Sequence, residues 1–422
     1  MTDMAWIDAA LTAARPQVLG ALLRYFRTLD AAEDAYQEAC LRALKNWPVK
    51  GPPRDPAAWL IFVGRNFALD EVRRRSKHTE LPEDEEIGIG EPEDVQEQLA
   101  ERLDASHYRD DILRLLFVCC HPELPAAQQI ALALRIVSGL TVKEVARAFL
   151  VSESAMEQRI TRAKARISAA DIAFDTPGAP ERAARLTAVS TMIYLIFNEG
   201  YSASGGNAHV RIPLCEEAIR LSRLLLRLFP SEPEIMGLTA LLLLQHARVP
   251  ARLDAENNIV LLEDQDRSLW QRDLIGEGLA LVEKALRHRR PGPYQLQAAI
   301  AAVHSQAARA ADTDWTEIDQ LYTVLETLQP SPVVTLNHAV AVSKLRGPAE
   351  ALAMIEPLAG QLSGYFYFFG LKGALLIQLN RPEEARTAFN RAIALANTAA
   401  EAAHIRLHLD RLQHDTGGGT PC

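Results

Sequence analysis

Apolar residues recur at spacings of three and four along most of this chain, the period of amphipathic helices, and the pattern predicts an all-α protein. The first helical segment is WIDAALTAARPQVLGALLRYFRTL. The second, DAAEDAYQEACLRALKNW, sets Ala35, Ala39 and Leu41 to Leu44 on an inward side and Asp34, Gln37, Glu38 and Arg42 on a polar one. WPVKGPPRDP reads as a proline-rich loop. PAAWLIFVGRNFALDEVRRRSKH then reads as a helix, apolar at its start and closed by Arg73, Arg74, Arg75 and Lys77, where the helix dipole favours cations. Trp59, Phe62 and Phe67, spaced by three and five on this helix, are expected in the core rather than stacked on bases.

Residues 140–167, LTVKEVARAFLVSESAMEQRITRAKARI, carry the sharpest local signal, a helix-turn-helix. Thr141, with Glu144 three residues on, predicts a capping box, and Val145 and Phe149 give the first helix an inward face. Ser152 caps the second helix. There Met156 and Ile160 pack inward, while Arg159, Arg162 and Arg166 form a second stripe suited to phosphates. Ser154, Glu157 and Gln158, nearer the N-terminus, are of the polar types that reach base edges from the major groove. The glycine often found in such a turn is replaced by Leu150.

Charge sharpens this picture. The net value of −9 conceals +3 over residues 1–78, −11 over 79–111, +4 over 112–170 and −5 beyond. Two basic modules therefore flank an acidic stretch, TELPEDEEIGIGEPEDVQEQLAERLDASHYRDD. Its acids, Pro and Gly predict an extended solvated linker, or a strip lying along a positive channel where nucleic acid would otherwise run. A chain of 422 residues with 48% hydrophobic content and no long uncharged apolar run reads as soluble, with several domains and no membrane partner. Acids early in MTDMAWIDAALTAARP give no signal peptide, so a cytoplasmic location is expected. The cysteines Cys40, Cys119, Cys120, Cys215 and Cys422 form no paired framework, and the adjacent Cys119, Cys120 and His121 lack the spacing of zinc ligands. No metal, no cofactor and no enzymatic activity are expected: there is no glycine-rich phosphate loop and no nucleophile with a nearby base.

Taken in order, AEDAYQEACLRAL, PAAWLIFVGRNFALDEVRRR, the acidic linker and the helix-turn-helix resemble bacterial sigma-70-family factors of the extracytoplasmic-function type, over about residues 10–170. The resemblance implies that Asp34, Gln37, Glu38 and Arg42 contact core RNA polymerase at the beta-prime clamp, with the beta flap as a further contact. It implies that the loop from Trp47 to Pro56, including Lys50 and Arg54, meets the −10 promoter DNA together with Arg65, Asn66, Arg73 and Arg74. Arg159, Arg162, Lys164 and Arg166 would hold the −35 backbone, beside the base-reading candidates Ser154, Glu157 and Gln158. Glu157 stands where the family commonly has a basic residue, so no −35 sequence preference carries over. The physics agrees, because opening a promoter costs a few kcal/mol per unstacked step, and capturing an unpaired base in a pocket offsets that cost.

Beyond DTPGAPERAARL the basic stripes stop. KLRGPAEALAMIEPL (344–358) and QLNRPEEARTAFNRA (378–392) align at an offset of 34, pairing Leu345 with Leu379, Pro348 with Pro382, Glu350 with Glu384 and Ala351 with Ala385. That is the tetratricopeptide period, and Gly373, Leu376, Phe389 and Ala392 fall at its packing positions. DWTEIDQLYTVLETLQP is a weaker copy. IYLIFNEGYSASGG, PGPYQLQAAIAAVHS and residues 241–270 do not fit the repeat, and 241–270 is expected to include a short extended piece. With these segments the resemblance reaches the branch of extracytoplasmic-function factors that carries a C-terminal tetratricopeptide-like extension. The expected organisation is sigma region 2 (1–78), acidic linker (79–111), region 4 (112–172) and a helical-repeat regulatory domain (176–422). Glu199, Tyr201, His209, Glu263, Asp264 and Asp266 are candidates to line a ligand site there, the regulator being a protein or a small molecule. The alternatives are an operator-binding regulator with a tetratricopeptide-like domain, which has no use for a clamp-docking helix, and a pure scaffold, which leaves the basic modules unexplained.

Overall fold

The computed structural model describes residues 5–51, 53–76, 105–121, 123–149, 151–169, 179–202, 210–255 and 258–417. Among them the regular structure is helical, apart from one isolated antiparallel bridge, Leu253 with Ile259. That bridge is the extended piece expected within 241–270, and the short 3-10 turns Val249–Ala251 and Arg267–Leu269 flank it. No helix among the described residues is long and apolar enough to cross a membrane. The chain forms two compact units, Met1–Met192 and Ile193–Cys422.

In the first unit, α1 (Ala5–Phe26), α2 (Leu29–Lys50) and α3 (Pro56–Ser76) pack on one another. Val18, Leu19, Leu22 and Leu23 of α1 are buried, and so is the small face of α2, where Ala32, Ala35, Ala39 and Ala43 are almost fully covered. Leu41 and Leu44 depart from expectation: they are 54% and 40% exposed, because the alanines, Tyr36 and Trp47 already supply the inward face. The proline-rich loop is also shorter than its composition predicts. α2 runs through Pro48 to Lys50 and is ended by Gly51, whose φ of 83° only glycine adopts without strain. Asp55 then caps α3, its Oδ1 accepting from the backbone N–H groups of Ala57 (2.9 Å) and Ala58 (3.0 Å).

Next come α4 (Ala105–Cys119), α5 (Ala126–Ile136), α6 (Val142–Phe149) and α7 (Glu153–Ala169). α4 lies against α1 so closely that a Cβ on Gly20 would stand 2.5 Å from the Asp111 carbonyl oxygen. Residues 105–111, the end of the expected acidic connector, are thus the first turns of α4, and Asp111 is buried beside Arg24 and Arg114. Residues 79–104 of that connector lie outside the described residues. Cys119 and Cys120 are core residues, and burial pushes the Cys120 thiol up to about 12.

The second unit takes in the end of α8 (Ala179–Tyr201), α9 (Ile212–Leu228) and α10 (Pro233–His246). α10 is apolar all round and buried nearly throughout, as a central helix must be. Around and after it come α11 (Arg272–Leu286), α12 (Pro293–Gln306), α13 (Trp315–Leu328), α14 (Pro332–Leu345), α15 (Pro348–Ile355), α16 (Phe366–Gln378), α17 (Pro382–Leu395) and α18 (Ala399–Gly417), each packed on the next. The offset-34 positions occupy equivalent places: Pro348 and Pro382 open α15 and α17, and Ala351 and Ala385 are fully buried. A Cβ on Gly373 would come within 2.5 Å of the Phe389 ring, so glycine here sets the spacing of α16 and α17.

Candidate functional site

The outer face of α2 follows directly from its small inner face. With the alanines inward, Asp34 and Gln37 are exposed and Glu38 and Arg42 half-exposed, and exposed Leu41 and Leu44 lie among them. Arg42 Nε donates to Glu38 Oε1 at 2.9 Å, an i,i+4 pair that orients both side chains. Asp34 and Gln37 have no partner among the described residues. The surface therefore combines available carboxylate and amide groups with two large apolar side chains, a composition that suits a protein partner better than water. Sequence reasoning found its polar half and assigned the apolar half to the core.

The residues expected at −10 DNA are scattered more widely. Lys50 ends α2 and Arg54 lies exposed in the loop before α3. Arg65 and Asn66 lie midway along α3, with the Arg65 guanidinium 4.7 Å from the centre of the Tyr25 ring. Arg73 and Arg74 belong to the last turns of α3, and their side chains lie outside the described residues. Trp59 is half-buried and meets Trp47 edge-on at 5.4 Å, which gives it a packing role; Phe62 and Phe67 are half-buried as well.

The helix-turn-helix forms as its sequence predicts. Glu144 Oε2 accepts from the Thr141 N–H (2.7 Å) and Thr141 Oγ1 accepts from the Glu144 N–H (3.2 Å), the reciprocal capping box. Ser152 Oγ accepts from the Ala155 N–H at 3.2 Å. Met156, Ile160, Ala163 and Ile167 bury one stripe of α7. Ser154, Glu157, Gln158, Arg162 and Arg166 are exposed and Arg159 half-exposed, none with a side-chain partner among the described residues. Leu150, in the turn, is outside the described residues.

Lys164 differs from its neighbours. Its Nζ donates to Asp30 Oδ1 (2.7 Å) and Glu33 Oε2 (2.6 Å), both on α2. Burial pulls the ammonium down, but the hydrogen bonds and charges of the two carboxylates outweigh it and hold Lys164 above the usual lysine value. Glu33 is itself 5% exposed and also faces Arg15 (3.5 Å) and Arg135 (3.8 Å). Arg15 Nε donates to the Ile136 carbonyl at 3.0 Å and its guanidinium lies over the Tyr36 ring. One buried carboxylate thus joins α1, α2, α5 and α7, an assembly with no local sequence signature.

In the second unit the residues expected to line a ligand site do not converge. Glu199 pairs with Arg211 (2.5 Å), Glu263 with Lys344 (2.7 Å), and Asp266 caps the turn at Ser268. Asp264 is exposed, and His209 lies outside the described residues. Tyr201 alone joins a cluster, with Arg248 and Arg252.

Comparison with known proteins bears on each part of the chain. Residues 11–78 match the model of sigma-70 region 2, and residues 114–167 that of sigma-70 region 4. Residues 185–286 match a family of unknown function (DUF6596). The chain is also similar to an uncharacterized protein of Rhizobium meliloti, 69% identical over 412 residues that cover 98% of this chain and 97% of that one.

Proposed function

Because this chain belongs to the sigma-70 family and so is a promoter-recognition factor, we propose that it docks on core RNA polymerase through the outer face of α2 and reads promoter DNA with α3 and α7. The observation that carries this reading is the α2 face itself, where Asp34, Gln37 and Glu38 stand beside exposed Leu41 and Leu44. The first unit corresponds in this reading to an extracytoplasmic-function factor, with Lys50, Arg54, Arg65, Asn66, Arg73 and Arg74 at the −10 element. Arg159, Arg162, Lys164 and Arg166 hold the −35 backbone, while Ser154, Glu157 and Gln158 face bases. The test is co-purification with core polymerase followed by run-off transcription on genomic fragments, which also yields the promoter. Replacing Asp34, Gln37 and Glu38 together by Ala should abolish core binding with circular dichroism unchanged. Wild-type recovery of core by that variant would remove the docking face.

The tetratricopeptide-like second unit sets, in this proposal, whether the factor works. It carries no basic stripe of its own, its net charge is opposite in sign to those of the DNA-reading modules, and its tether to them gives even a weak contact a high effective concentration. The branch it resembles favours a supporting role, so truncation after residue 175 should silence transcription from the native promoter at matched soluble levels. Equal activity, with no association between the separated halves, would take the second unit out of the mechanism.

A further inference from the structure

The second unit buries arginines that it does not pair. Arg248, just past α10, and Arg267, in the turn before α11, are 9% and 8% exposed. Neither has a carboxylate within ion-pair distance among the described residues. Asp312, whose charge reaches Arg267, is held by the Nε and Nη2 of Arg309 (3.0 and 2.8 Å) and acts on Arg267 only from farther off. Burying a guanidinium without a counter-charge is costly, and two that repel each other cost more. Their proximity shows in their neighbour: burial first, and then the charges of both Arg248 and Arg267, bring the His304 imidazole down to about 4.

Part of this cluster is structural. Arg267 Nη1 donates to the carbonyls of His304 and Ala307 (both 2.6 Å) at the end of α12, where a cation offsets the helix dipole, and its guanidinium lies 4.7 Å from the Trp270 ring centre. What that role leaves over is a set of buried donors. Arg248 Nε, Arg267 Nε and Trp270 Nε1 have no hydrogen-bond partner among the described residues. Each is an N–H, and only an acceptor satisfies it. Arg248 otherwise donates to Gln245 and to the Tyr201 hydroxyl (3.3 Å), and it lies near half-buried Tyr322, which stacks on His338.

We infer that Arg248 and Arg267 form a binding site for a small organic acid, a carboxylate or phosphate ester whose oxyanion accepts from the guanidinium groups while its apolar or planar body lies against Tyr201 and Tyr322. Depth excludes a polymer: arginines more than nine-tenths buried cannot reach a nucleic-acid backbone, whereas a small oxyanion can accept charge-assisted hydrogen bonds from the two unpartnered Nε–H donors. The inference rests on the proposal that the second unit sets whether the factor works, and it names the chemistry of a signal for that unit. Binding is read on the protein alone, so a failure of the transcription experiments leaves it standing.

The experiment is calorimetric titration and thermal unfolding of the full-length protein with phenyl phosphate and with benzoate, beside phenol as the uncharged control. Saturable binding and a raised Tm with either acid, and none with phenol, is the expected result, and the better of the two acids identifies phosphate or carboxylate. Arg248→Gln should weaken that acid by roughly tenfold or more, the loss of one charged hydrogen-bonding partner. Arg248→Lys, which keeps the charge and loses the fork, should fold and also bind less tightly. No saturable binding by either acid, equal binding by phenol, or wild-type affinity in Arg248→Lys would overturn the site.

Discussion

The two units use arginine and lysine in opposite ways. In the first, Arg162 and Arg166 stand out from α7 with no side-chain partner among the described residues, and the buried ionic groups include two acids, Glu33, matched by Lys164, Arg15 and Arg135, and Asp111, beside Arg24 and Arg114. In the second, several surface cations are matched, as Arg223 is with Glu277 and Arg346 with Asp319, while Arg248 and Arg267 are buried with no acid at ion-pair distance among the described residues. A charge left free on a convex helix meets a large flat partner such as duplex DNA, whereas a charge left free in the interior can meet only what is small enough to enter. The position of the unmatched charge, more than the number of charges, separates the two proposed kinds of recognition.

The strongest way to break the comparison is to remove the acid that balances the first unit. Glu33→Ala leaves three cations facing one another and should cost about 3 to 5 kcal/mol of unfolding free energy, measured by urea titration with the fluorescence of Trp47 and its neighbours. An unchanged midpoint would mean the network holds nothing together. A second test bears on the other interior. In the unfolded chain His304 gains its proton near 6.5, in the folded chain only near 4, so the folded form is not penalised at neutral pH. As pH falls from 6.5 toward 4 the unfolded chain takes up a proton the folded one refuses, and stability drops by about 1.4 kcal/mol per unit. His304→Gln should flatten that slope; identical slopes for the two proteins would contradict the cationic surroundings.

Smaller effects sharpen the outward-facing half. Gln158→Ala should relax preference at one promoter position at a cost of roughly 1 to 3 kcal/mol, scored on a panel of single-base changes. Arg162→Ala should lower affinity alike on all sequences and reduce the salt slope of promoter binding by about 1. A salt slope identical to wild type would show that Arg162 meets no phosphate.

What could be read from the sequence was what is local. The capping box of Thr141 and Glu144, the cap at Ser152 and the Met156–Ile160 stripe depend on residues three or four apart, and each formed as read. Leu41 and Leu44 were misplaced because an apolar residue left at the surface has the same spacing as one kept for the core; only the sufficiency of the alanine face tells them apart. The Glu33 assembly joins residues up to 131 positions apart and leaves no periodic trace. At the second unit the carboxylates Glu199, Glu263 and Asp266 drew attention by their chemistry but are occupied by near neighbours. Arg248 and Arg267 look ordinary in a chain with 45 basic residues until their burial is known.

The ties of Lys164 to Asp30 and Glu33 have a consequence for how phosphate binding and the placement of α2 bear on one another. A phosphate that recruits Lys164 must outcompete two carboxylates, so its net gain is smaller than a free lysine would give, and Glu33 is then left to Arg15 and Arg135. If Lys164 meets promoter phosphate as proposed, binding at the helix-turn-helix and the placement of α2 are thermodynamically linked. Any partner that shifts α2 and loosens that tie would then ease the capture of phosphate by Lys164, and the two events would be cooperative without touching one another.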